Sequence, residues 1–247
     1  MKVGIADYGL NVWYGALYDF DKRIDDLRAL GYDGVERVSP NSASDLLNKS
    51  VALKKRGMDF TTVRAGDIET SIKWTAATGK RYIWVEQSPH AKDFEKHCQT
   101  VNYLSEACRR YGIVCAVHNH LGTFVETQEQ LETFLERCPE AGLVFDLGHL
   151  AVAGGDVMQI AEKYFSRIVA VHVKDWTETN AEAERWWERG FFCGLKQGTL
   201  GVNNEGVVKY MLKRGYDGWI FVEHDTHKRE PLADLKESRE ILRSWGA

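Results

Sequence analysis

The sequence predicts an α/β chain folded as a single (β/α)8 TIM barrel over residues 1–247, and three observations carry that expectation. Eight short runs rich in Val, Ile, Phe or Trp are bounded by turn residues and read as strands. Helical patterns alternate with them, clearest at 21–31, 44–57 and 93–112, and all three end in glycine, which accepts the left-handed turn that closes a helix. With four prolines and no Gly/Ser-rich tract, nothing divides the chain into domains. A crossover helix after every strand suits a closed parallel barrel better than a doubly wound sheet.

Taken in order, the strand runs are "KVGIA" (2–6), "DGVERV" (33–38), "DFTTVRA" (59–65), "YIWVEQ" (82–87), "VCAVHNH" (114–120), "LVFDLG" (143–148), "VAVHVKD" (169–175) and "WIFVEH" (219–224). One connection is longer than the rest, from Trp176 to about Asn203. Within it "AEAERWWERGFF" (181–192) reads as a short amphipathic helix, and a stretch of this length is expected to form a lid or a contact in a homo-oligomer.

Composition narrows the function classes. The 247 residues are 44% hydrophobic and 28% charged, enough for one sizeable core. A net charge of −4 and the lack of any Lys/Arg run interleaved with aromatics argue against nucleic acid as a partner. No apolar run approaches the roughly 18 residues of a membrane span, and Asp7 interrupts the start too early for a signal sequence, so no membrane and a cytoplasmic location are expected. The five cysteines form no CxxC pair and read as reduced, mostly buried thiols.

In a (β/α)8 barrel the chemistry sits at the carboxyl ends of the strands, and alternate strand residues share a face. The second run ends near Glu36, the third at Arg64, the fourth at Glu86 and the fifth at His118 and His120. The sixth ends at Asp146 with His149 just beyond, the seventh at His172, Lys174 and Asp175, and the eighth at Glu223. Several carboxylates in one cavity repel unless a cation or hydrogen-bond donors offset them. One divalent cation bound by His118, Asp146, His172 and Glu223 meets that need, and mixed imidazole and carboxylate donors suit Mn, Co, Zn or Fe, with Mg as a further candidate. His120 competes with His118 for the ligand position. His90, His97, His224 and His227 fall off the inward positions and are expected at the surface.

The phrases "HNHLGT", "FDLGHLAVAGGD", "VHVKD" and "GYDGWIFVEHD", in this order and spacing, resemble the sugar isomerase/epimerase superfamily of xylose-isomerase-like barrels, and within it most closely the inosose dehydratase branch. The likeness is strongest over 112–226. It implies one metal, commonly manganese or cobalt, carried by position onto His118, Asp146, His172 and Glu223. Many epimerases of the superfamily have glutamate where His118 stands, and that glutamate is one of their two acid/base groups. Imidazole at this position tilts the expectation toward elimination. A second departure, "GTLGVNNEG" (198–206), gives the helix-capping role to Asn203 or Asn204.

The implied chemistry is proton abstraction beside a carbonyl, with charge stabilised as an enediolate on the metal. The expected function is thus a divalent-metal-dependent lyase acting on a keto-inositol or 3-keto-glycoside type of substrate, with an isomerase/epimerase on the same site as the alternative. Glu223 or Glu86 is expected as base, and Lys174 and His149 as proton donors or hydrogen-bond partners. His120, Glu36, Arg64, Trp13 and Trp176 are expected to contact substrate, with Tyr8, Phe124 and Trp186 as further aromatics where sugar C–H faces stack.

Overall fold

The computed structural model describes residues 1–6, 18–85, 93–223, 225 and 228–247; Tyr8, Trp13, Glu86, His90, His224 and His227 lie outside them. Eight strands follow the predicted runs: β1 Lys2–Ile5, β2 Gly34–Val38, β3 Asp59–Val63, β4 Tyr82–Val85, β5 Val114–His118, β6 Gly142–Asp146, β7 Ile168–Val173 and, last, Trp219–Val222, labelled β10 because a hairpin of β8 (Asp175–Glu178) and β9 (Gly190–Cys193) precedes it. Helices separate them: α1 Phe20–Leu30, α2 Ala43–Lys55, α3 Ile68–Ala77, α4 Phe94–Arg110, α5 Gln128–Arg137, α6 Leu147–Val152, α7 Val157–Lys163, α8 Trp186–Arg189, α9 Asn204–Lys213 and α10 Pro231–Ser244. This alternation of parallel strands and helices is the (β/α)8 arrangement.

The chain forms two compact units, one of Met1–Glu36, Leu47–Phe60 and His172–Ala247, the other of Arg37–Leu46 and Thr61–Val171. In the first, strands lie in the order β2-β1-β10-β7. β1 pairs in parallel with β10 from Lys2↔Trp219 to Ile5↔Val222, and with β2 at Gly4↔Gly34. Only glycine fits at position 34, where a Cβ would lie 1.9 Å from the Asp59 carbonyl oxygen. Helix α1 starts at Asp19, whose carboxylate accepts from the Lys22 N–H, and ends at Gly31 with φ 87°. Its Ile24 and Leu27 are buried, each contributing about 1.5–3 kcal/mol of apolar transfer.

In the second unit the order is β7-β6-β5-β4. The β4/β5 ladder runs from Tyr82↔Val114 to Val85↔Val117, and β5/β6 from Ala116↔Gly142 to His118↔Val144. Helix α5 begins with a capping box between Thr127 and Gln130. Helix α4 buries His97, Cys98, Val101, Ser105 and Cys108. His97 therefore departs from its expected surface place: its ring stacks on Phe124 at 5.6 Å and lies 5.8 Å from Phe134. Burial holds this imidazole below its ordinary titration range.

The long connection is a hairpin rather than a helix. Strands β8 and β9 pair antiparallel from Asp175↔Cys193 to Glu178↔Gly190, and only the four residues of α8 are helical. The pairing brings Thr177 so close that a Cβ on Gly190 would lie 2.2 Å from its carbonyl oxygen, and Trp176 and Phe192 pack edge to face at 4.8 Å. That packing overrides the helical pattern of 181–192. Among the described residues no helix is long and apolar enough to cross a membrane.

Candidate active site

The polar strand ends gather into one cluster in each unit. In the second unit, β5 ends at His118 and β6 at Asp146, both buried. Asp146 is also the N-cap of α6: its Oδ1 accepts from the His149 N–H at 2.8 Å, which turns Oδ2 toward the imidazoles. His118 Nε2 lies 3.1 Å from that Oδ2 and His149 Nε2 4.0 Å from it. The ligand atoms of His118, Asp146 and His149 fall within 4.8 Å of one another, as donors around a small cation do. His120 is half-buried, its ring 3.7 Å from that of His149, and its Nδ1 meets the Leu121 carbonyl at 2.7 Å. A carbonyl only accepts, so Nδ1 carries the proton of the neutral ring and Nε2 keeps its lone pair.

In the first unit, His172 stands between two carboxylates, with Nε2 2.9 Å from Glu36 Oε1 and Nδ1 3.2 Å from Glu223 Oε2. Lys174 donates to Glu223 at 2.5 Å and to Asp225 at 2.7 Å, and its ammonium lies 4.5 Å from the centre of the Phe192 ring on β9. Glu36, His172 and Lys174 are 0% exposed, so none of these charges relies on bulk water. His172 on β7 and Lys174 just past its end both reach Glu223 Oε2, as their alternate spacing expects. Asn204, the first residue of α9, donates to the Lys174 carbonyl at 2.9 Å, while Asn203 is the residue that caps the helix.

Arg64 is exposed and its N–H continues the β3–β2 pairing to Val38. Trp176 is 2% exposed, and packing inside the hairpin takes the faces a sugar would stack on. Glu86 and Trp13 lie outside the described residues. Residue-by-residue reading of strand ends missed Asn119, Asp225 and Trp84. Trp84 meets the His118 ring edge-on at 4.8 Å and carries the Arg37 guanidinium 4.1 Å above its own ring. In the sequence it stands two residues before Glu86, so the alternation that selects one selects the other.

In the second unit a buried group of His118, Asp146 and His149 that could hold a metal thus stands at the carboxyl ends of strands, where (β/α)8 proteins carry their chemistry. The chain belongs to the xylose isomerase-like TIM barrel family, which matches residues 24–245. Among its relatives, an inosose dehydratase of Mesomycoplasma hyopneumoniae (strain 7448) is 28% identical over 293 residues, spanning 99% of this chain and 96% of that protein. Two solved structures share the fold across almost the whole chain. One is the probable 3-DHS dehydratase AsbF of Bacillus anthracis (TM-score 0.74, 13% identity, 98% of this chain and 99% of that one). The other is the 3-keto-D-glucoside 4-epimerase YcjR of E. coli (TM-score 0.71, 14% identity, 99% of each chain).

Proposed function

We propose that the chain is a divalent-metal-dependent dehydratase acting on a keto-polyol or keto-sugar, of the keto-inositol or 3-keto-glycoside type. The observation that carries this reading is a pair of matched contacts, His118 Nε2 to Asp146 Oδ2 at 3.1 Å and His172 Nδ1 to Glu223 Oε2 at 3.2 Å. Ligand atoms held about 2.1 Å from one cation lie about 3 Å apart, so both pairs fit neighbouring ligand positions. His118, Asp146, His172 and Glu223 would hold the ion, and this oxygen and nitrogen set suits Mn or Co. Glu36, on the other nitrogen of His172, fixes that ring as a carboxylate behind a metal-bound imidazole does. When bound, the cation supplies Lewis-acid stabilisation of negative charge on the substrate carbonyl oxygen.

The remaining work falls to the chain's own groups. Glu223 takes the proton from the carbon beside the carbonyl, with Glu86 as the other candidate base. Lys174 gives a proton to the β-hydroxyl as its C–O bond breaks, so that a carbon–carbon double bond forms and water leaves. Its contact with Glu223 lets the proton taken by the base replace the one given by the acid. His149 and His120 present imidazoles to substrate hydroxyls, Trp84 offers a half-exposed ring for a sugar face, and the 176–203 hairpin serves as the lid of a single barrel. The relative named inosose dehydratase supports elimination.

Likeness to a keto-glucoside epimerase favours the second reading, an epimerase on the same site. Returning a proton to the opposite face needs a second base, and the end of β5 carries the imidazole of His118 rather than a carboxylate. Incubation with Mn(II) and 2-keto-inositol or 3-keto-glucosides in D2O separates the two. Loss of water with a new enone or dione absorbance is expected. Deuterium uptake without loss of water would establish the epimerase instead.

A further inference from the structure

Between the two histidines of "VHNHLG" stands Asn119, 0% exposed, whose side chain does not share their face. Its Nδ2 donates to the Asp146 carbonyl at 2.9 Å, and its Oδ1 accepts from the Asp146 N–H at 2.8 Å. The backbone pairing of β5 with β6 reaches only His118↔Val144. Asp146 lies beyond it, so its peptide groups meet a side-chain amide that imitates one more rung of the ladder. Two bonds of opposite sense on one residue fix both its position and its rotation.

We propose that Asn119 is a positioning residue for the cation: by clamping both backbone groups of Asp146, it sets where Oδ2 meets His118. The proposal rests on the metal-site reading above. It follows from how Asp146 is otherwise held. Its Oδ1 is tied to the His149 N–H, so the carboxylate has one oxygen committed to the backbone and the other left to aim. A small rotation of the Asp146 peptide therefore moves Oδ2 relative to His118 Nε2, a contact of 3.1 Å. Cations that demand fixed bond lengths lose affinity when a ligand drifts, and partners of ligands typically matter by about 10-fold to 100-fold.

A purely structural role would lower stability without touching affinity, so the test compares Asn119→Ala with a matched control. Thr75 is also 0% exposed, and its Oγ1 accepts a backbone bond from Val63 N–H at 3.0 Å, away from the cluster. Thr75→Val thus removes a buried anchor of the same kind in the same unit. Metal-free protein is titrated with Co(II) and Mn(II) by calorimetry at a temperature where all variants are folded, and the visible spectrum of bound Co(II) is recorded. The expected result is affinity weakened about 10-fold to 100-fold in Asn119→Ala with an altered Co(II) spectrum, and affinity and spectrum unchanged in Thr75→Val. Equal affinities and spectra in wild type and both variants overturn the clamp alone. A wild-type protein that binds neither ion overturns the metal reading and the clamp with it. Should Asn119→Ala fail to fold, Asn119→Asp is used; it keeps the acceptor for the Asp146 N–H, and the same comparison decides.

Discussion

The two polar clusters are built from the same residue types but are balanced differently. Around Asp146 one carboxylate meets the imidazoles of His118 and His149, with His120 against His149, and the nearest partners are lone-pair donors. Around Glu223 three carboxylates share an imidazole and a built-in cation, the ammonium of Lys174. The first arrangement gathers ligand atoms that suit an ion from outside. The second already sets the amine of Lys174 2.5 Å from Glu223 Oε2 and 2.7 Å from Asp225 Oδ2. On the proposed function, this balance predicts that loss of the Asp146 cluster is felt most in metal affinity and loss of Lys174 most in acid/base work.

The largest expected break comes from Asp146→Ala, which removes the oxygen on which the imidazoles converge. Metal binding should weaken more than about 100-fold and turnover should fall on the order of 1,000-fold, read by calorimetry and by product formation. Lys174→Met tests the other cluster: it leaves Glu223 and Asp225 without their ammonium. The expected outcome is a loss of about 3–5 kcal/mol in denaturant unfolding and about 100-fold or more in turnover, while Mn(II) affinity stays within a few-fold. Turnover unchanged in this variant would remove Lys174 from the chemistry. Glu36→Gln is milder, because His172 keeps a neutral partner on Nε2; metal affinity should drop about 10-fold.

The smallest effect lies away from both clusters, in His97. Burial between Phe124 and Phe134 depresses its folded titration, so the folded state favours the neutral ring. As pH falls through the ordinary histidine value near 6.5, the unfolded chain takes up the proton first and stability is lost. His97→Phe removes this dependence. Its Tm should fall less than that of the wild type between about pH 6.5 and pH 5, and parallel curves would contradict the assignment.

The fold was legible because strand and helix periods alternate along most of the chain, broken chiefly at the β8–β9 hairpin, and a helix between successive strands suits a closed parallel barrel. The parity rule also picked out His118, His172 and Lys174, which lie buried in the two polar clusters. What escaped lies off that rule. Asn119 has the opposite parity and works sideways on the next strand, so alternation discards it. Asp225 lies past the end of β10, where no periodicity operates. His97 carried a signal that went unused: with Val101, Ser105 and Cys108 it sits at four- and three-residue spacing on α4, on the stripe that is buried. The hairpin was misread as a helix because its stabilisation is tertiary, an aromatic pair formed by Trp176 and Phe192 across two strands.

Metal-dependent elimination is tested most directly by following 2-keto-inositol with chelator-treated protein, before and after Mn(II) is restored. The account predicts no water loss without the ion, and enone or dione absorbance rising once about one equivalent is bound. Full activity in the stripped protein, or water loss that ignores added metal, would contradict it.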